Sequence, residues 1–197
     1  DMCMYDFITA GFAASADVFA HARELDMIVH CHRAMHAVFT RQHDHGIHMR
    51  VVAKWLRLTG GDHVHTGTVV GKLEGSWKDT QGIIDLLRER HIPANAEHGI
   101  YFDQDFAGLK SVWPVASGGI HVHHIPDLYR LTGNDAFWLF GGGTHGHPKG
   151  SRAGATANRV ATEAIACGST LEEAARNSPE LRDAMALWAD IKFEVQE

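Results

Sequence analysis

The chain has 197 residues, 45% of them apolar, and a formal charge of −6 at pH 7. This supports one sizeable core and excludes a broad basic surface for nucleic acid or an anionic membrane, while leaving room for a local anion site. No apolar run approaches the roughly 20 residues that span a bilayer. The odd count of 3 cysteines, with no CxxC spacing, favours reduced thiols in a cytosol-like compartment.

Short apolar runs alternate with amphipathic stretches, as in βα units on a parallel sheet. A first strand is predicted at 2–8 (MCMYDFI); because the chain opens inside it at Asp1, a piece of a larger polypeptide is expected. The second strand, 27–33, reads MIVHCHR. A helix over 46–59 carries Ile47, Val51, Trp55 and Leu58 on one face and stops at Gly60-Gly61. The third strand, 62–66 (DHVHT), runs into GTVVGKLEG, where Gly67, Gly71 and Gly75 surround Lys72. A helix at 80–90 precedes the fourth strand, 112–116 (VWPVA), which ends in Ser117-Gly118-Gly119. Pro126 opens a short helix to about Leu131, and the fifth strand, 136–140 (AFWLF), ends in Gly141-Gly142-Gly143. Three helices are expected to close the chain: 153–167, one capped by Thr170 and Glu173, and one opened by Ser178-Pro179.

Polar groups gather after four of these strands. Parallel βα barrels build active sites at the C-terminal strand ends, and ends that converge on one mouth favour a barrel over an open sheet. The expected fold is therefore α/β: about five βα units forming the C-terminal part of a (β/α)8 TIM barrel, plus C-terminal helices, with residues 1–197 as one domain portion. His30 with His32, and His63 with His65, place two imidazoles on one side of adjacent strands. They suit a metal such as zinc, iron or nickel, or general-base and phosphate-donor roles; buried structural histidines are the bland alternative. Arg33 has no acidic neighbour in sequence, so its fixed donors are available to a phosphate or carboxylate. The two glycine-rich strand ends suit an anion cradle of backbone N–H groups, and Lys72 suits a closing loop that delivers a cation.

The stretches HCHRAMHAVFTRQ, HGIHMRVVAKWLRLTGGDHVHTGTVVGKLEG, PVASGGIHV, FGGGTHGHP and SPELRDAMALWADIKFE together resemble the large subunit of ribulose-1,5-bisphosphate carboxylase/oxygenase (RuBisCO), nearest the plant and cyanobacterial type. The resemblance implies the fourth to eighth strands of a TIM barrel. It implies His32 as the base acting after carboxylation, Arg33 and His65 as one phosphate clamp, and Lys72 as the lid-loop lysine that orients CO2. Ser117, Gly119, Gly141 and Gly142 would bind a substrate hydroxyl and the other phosphate.

The implied cofactor is Mg2+, held by a carbamylated lysine and two carboxylates expected outside this chain. No metal ligand is therefore assigned here, and the isolated chain is expected to be inactive. The implied partners are ribulose 1,5-bisphosphate with CO2 or O2, the N-terminal half of the large subunit, and a large-subunit homo-oligomer with or without small subunits. Neither nucleic acid nor membrane is among them. Bacterial cytosol, carboxysome or chloroplast stroma is the expected location, not secretion. His123, His145, Lys149 and Thr66 depart from the plant-type pattern. The competing readings are a truncated paralogue acting in assembly, a RuBisCO-like isomerase or enolase, and a barrel metallohydrolase. GKLEG speaks against the second, and the missing aspartate at the last strand end speaks against the third.

Overall fold

The computed structural model describes residues 1–70 and 76–191. They divide into two compact units, Asp1–Thr66 with Lys78–Val115 and Gly67–Trp77 with Ala116–Glu197.

In the first unit, β1 (Met2–Asp6) passes through α1 (Phe7–Ala10) into α2 (Phe12–Glu24) and returns as β2 (Ile28–His32). Then come α3 (Ala37–Thr40), α4 (Met49–Thr59) and β3 (His63–His65). Next, α5 (Trp77–Arg88), which enters this unit at Lys78, leads to an antiparallel pair, β4 (His91–Ile92) and β5 (Gln104–Asp105), and on to β6 (Trp113–Ser117). β1 pairs with β2, β2 with β3 and β3 with β6, all parallel, in a register that sets Asp6 beside His32, His30 beside His63, and His65 beside Val115.

Strand periodicity sorts the side chains. Val29, Cys31 and Val64 point into a core with Phe19, Val52, Leu56, Ile83 and Leu87, so the intervening His30, His32, His63 and His65 must point to the opposite face. Burial drives the Cys31 thiol pKa upward, which leaves it a small apolar filler rather than a nucleophile.

α4 stops where expected. Gly60 is left-handed (φ 89°, ψ 30°), and its N–H donates to Leu56 and Arg57 carbonyls. Of the expected apolar face, Ile47, just before the helix, packs against the core, but the rest was misplaced. Met49, Val52, Ala53 and Leu56 are buried, whereas Val51, Trp55 and Leu58 are exposed. Arg57 explains the rotation. It is 2% exposed, and its guanidinium donates to the carbonyls of Leu86, Glu89 and Lys110, so the helix turns its cation inward onto the open C-terminal end of α5.

The second unit takes over β6 at Ala116 and adds α6 (Ile125–Thr132), β7 (Phe137–Leu139), α7 (Gly142–His145), α8 (Ser151–Ala166), α9 (Leu171–Ala175) and α10 (Pro179–Leu187). Its core joins Val122 and Ile125 to Ala157, Ala161, Leu171 and Leu181. Alanines on α8 let neighbouring helices approach closely. Gly154 is demanded outright, because a Cβ there would overlap the Thr144 carbonyl oxygen. The reciprocal Thr170–Glu173 capping box forms, and Ser178 Oγ accepts from the Leu181 N–H, as read from sequence.

The strand order is β1-β2-β3-β6-β7, a parallel sheet of five strands in a mixed α/β chain. The predicted strands all form, each trimmed or shifted by one or two residues. β1 ends at Asp6 rather than at residue 8 because Phe7 turns inward to begin a helix and is fully buried. α2 and the β4–β5 hairpin had no counterpart in the sequence reading.

Candidate active site

In the first unit, the ends of β2 and β3 bring His30, His32, Arg33, His63 and His65 together. The rings of His32 and His65 lie 4.9 Å apart, and those of His30 and His65 lie 5.0 Å apart. His30 Nε2 and His65 Nε2 share one hydrogen bond at 2.9 Å. An N–H···N bond requires one of the two nitrogens to be bare, so this pair cannot hold two imidazolium ions. Burial is the main cause of the low pKa of each. His65 is brought to about 4, with the charges of His30, His32 and Arg33 adding to burial and Asp6 opposing it. His30 is lowered by burial and then by His32. His63 is lowered by burial and then by His30. All three are neutral at physiological pH.

His32 is half-exposed, and its Nδ1 lies 2.8 Å from Asp6 Oδ1. With Nδ1–H donated to the carboxylate, neutral His32 carries its lone pair on Nε2, the arrangement of an oriented general base. Asp6 was not singled out from the sequence. A lone carboxylate in the first strand was visible, but only the parallel register sets it beside His32.

Arg33 donates from Nη1 to the Thr66 carbonyl at 3.1 Å. No carboxylate among the described residues ion-pairs with it. Burial, then the neighbouring Arg41, lowers its pKa to about 10, so it stays charged at neutral pH in a place that favours an incoming anion. Its field, after burial, also helps hold His36 at about 4. Thr66 is buried, and its N–H and hydroxyl both reach the Val115 carbonyl.

Lys72 lies outside the described residues. Ser117, Gly119, Gly141 and Gly142 belong to the second unit. Gly118 (φ 110°) and Gly119 (φ 72°) need the freedom of glycine, as a backbone cradle requires. Gly141 and Gly142 are not held to glycine by any protein neighbour, for a Cβ on either would meet nothing within 4 Å. Gly143 is the constrained member of that triplet, since its Cβ would overlap the Ile120 carbonyl oxygen.

The described residues do not fit a magnesium site. Mg2+ takes oxygen ligands in a strict octahedron. Here the converging groups are imidazoles, Asp6 serves His32, and Asp62 accepts from the Val29 N–H and pairs with Lys110. No group of three or more His, Cys, Asp or Glu among the described residues is placed to hold a metal ion.

A profile of the family described as ribulose bisphosphate carboxylase large chain, catalytic domain, matches residues 1–188. The chain belongs to that family. Three of the four positions expected to depart from the plant-type pattern find partners in the second unit. His123 Nε2 meets the Met185 carbonyl at 2.9 Å, Lys149 ion-pairs with Asp183 at 2.6 Å, and His145 Nδ1 meets Ser151 Oγ at 2.9 Å. Two of the three bind α10. His147 adds a contact from Nε2 to the Glu180 carbonyl at 3.0 Å, while its Nδ1 accepts the Lys149 N–H.

Proposed function

We propose that this chain contributes to carboxylation, with competing oxygenation, of ribulose 1,5-bisphosphate. Arg33 and neutral His65 hold one phosphate, and Ser117, Gly119, Gly141 and Gly142 hold a substrate hydroxyl and the other phosphate. His32, oriented by Asp6, takes or returns the proton that accompanies C–C bond formation and hydrolysis. Lys72 is given the role of stabilising the new carboxylate. The observation that carries the reading is the joining of His32, Arg33 and His65 at the ends of two adjacent parallel strands, in a chain of this family. A part-buried guanidinium with no carboxylate partner among the described residues suits a phosphate, and an imidazole fixed by a carboxylate is what proton transfer needs.

Mg2+ would polarise the substrate enediolate when bound. We place its ligands on residues other than those described, in the barrel strands that would complete this sheet. The deciding experiment is labelled bicarbonate incorporation with ribulose bisphosphate, using the chain assembled with a polypeptide that supplies those strands. Incorporation that falls roughly 100- to 10,000-fold on His32→Asn supports the reading. Unchanged incorporation in that variant, or none in the assembled parent under saturating substrate, overturns it.

A further inference from the structure

The first unit carries a second concave site. A pocket of about 220 Å3 lies between the start of α4 and the β4–β5 hairpin. Its floor is Leu86 and Ile100, both buried; Tyr101 and Phe102 stand on its wall, and Arg50 and Lys54 on its rim. Tyr101 is 70% and Phe102 77% exposed, a large apolar area for adjacent residues to leave in water.

Three observations narrow the occupant. The volume is below the ~300–1,000 Å3 of small-molecule sites and suits a single large side chain. The apolar surface does not stop at the pocket. Val51 lines it, and Trp55 and Leu58 continue along the exposed face of α4 at the i+4 and i+7 positions. That stripe runs about 10 Å, the reach of a short peptide. Finally, the rim is cationic on a chain whose net charge is −6. Lys54 Nζ donates only to the neutral Gln104 Oε1, at 2.6 Å, among the described residues. Arg50 pairs with Asp79 through one Nη and meets His48 Nε2 at 3.4 Å through the other, while among the described residues its buried Nε has no hydrogen-bond acceptor. The hairpin carboxylates Asp103 and Asp105 are turned to the Ala94 and Ala107 N–H groups and do not line the pocket.

We infer that this surface docks an acidic peptide segment of another protein, which seats one large apolar side chain in the pocket and sets flanking carboxylates against Lys54 and Arg50. Exposed aromatics beside an arginine are the composition of interface anchors. Gly99 (φ 67°) is part of the build, because any Cβ there would overlap the Arg50 guanidinium.

The test is fluorescence anisotropy with a fluorescein-labelled Asp-Asp-Trp-Leu-Asp-Asp peptide, titrated with the whole 197-residue chain. Saturable binding is expected, weakened about tenfold or more by Lys54→Glu and by the Tyr101→Ser/Phe102→Ser pair. It should weaken comparably when Trp-Leu is replaced by Ser-Ser in the peptide. Both aromatic positions are exposed, so the melting curve should be unmoved in that variant. Four results would each overturn the inference. These are no saturable binding, equal binding by parent and variants, equal binding by the Ser-Ser peptide (a simple anion site), or self-association of the chain that the double variant abolishes in place of peptide binding.

Discussion

His32 and Asp6 form the pair on which most of the proposed chemistry turns. Asp6→Asn keeps the side-chain shape but replaces an acceptor-only carboxylate with an uncharged amide whose NH2 can also face Nδ1, so the imidazole is no longer held in one tautomer. In the assembled enzyme, Asp6→Asn is expected to lower the turnover rate while leaving substrate KM within about threefold, because the phosphate clamp at Arg33 is untouched. A change in KM alone would show that Asp6 serves substrate binding instead. Neutral His30, His63 and His65 give a second expectation. Their pKa values are depressed in the folded state, so the unfolded chain binds more protons between its own imidazole pKa, about 6.5, and the folded value. Their contribution to stability is therefore complete above about pH 6.5 and is lost as pH falls toward 4, the value for His65. For His65 alone the loss is on the order of 3 kcal/mol. Urea midpoints at pH 7.5 and pH 5 should differ accordingly, and the gap should shrink in His65→Asn; equal midpoints in the parent would refute this.

At the scale of elements, α10 is held by imidazoles. The last carbonyls of a helix lack intrahelical donors. His123 supplies one to Met185, and beyond the helix end His121, stacked on Trp188 at 5.3 Å between ring centres, supplies one to the Ile191 carbonyl. His123→Ala removes a donor from a helix-end carbonyl and is expected to destabilise the chain by about 1–3 kcal/mol. Thermal unfolding measures it, and Thr170→Ala, which opens the neighbouring capping box, sets the scale at about 1 kcal/mol. A smaller effect from His123 than from Thr170 would mean that water replaces the imidazole. α4 shows why its inward face was misread. Periodicity alone places Val51, Trp55 and Leu58 on an apolar stripe, but a second stripe of Met49, Val52, Ala53 and Leu56 competes with it. Carbonyls brought in by α5 and residues 109–110 attract Arg57 inward and decide between them. Leu56→Ala should accordingly cost about 2–5 kcal/mol, and Leu58→Ala, on the solvent side, under about 0.5 kcal/mol.

For the whole molecule, the proposed reaction needs an oxyanion-stabilising metal that the described residues are not built to bind. The purified chain supplied with Mg2+ and ribulose bisphosphate is expected to fix no CO2, and activity is expected to return with a polypeptide that supplies the metal ligands. Fixation by the 197-residue chain alone would contradict this. The same test distinguishes a working half-site from a chain acting only in assembly.

Local sequence by itself determined a great deal here. The alternation VHCH and the DHVH run dictate that the histidines share one face, because strand period is 2 and the intervening Val29, Cys31 and Val64 are apolar. Gly60, Thr170 and Ser178 mark helix ends through backbone conformation and short-range hydrogen bonds, which depend on a few neighbouring residues. Tertiary structure alone decided the rest. Asp6 meets His32 only through parallel register, His30 and His65 become neutral only through burial and their shared hydrogen bond, and α4 chooses its inward face only once Arg57 has carbonyls to reach. Each depends on residues far apart in the chain, whose effect is electrostatic or steric and therefore arises only when folding removes the water between them.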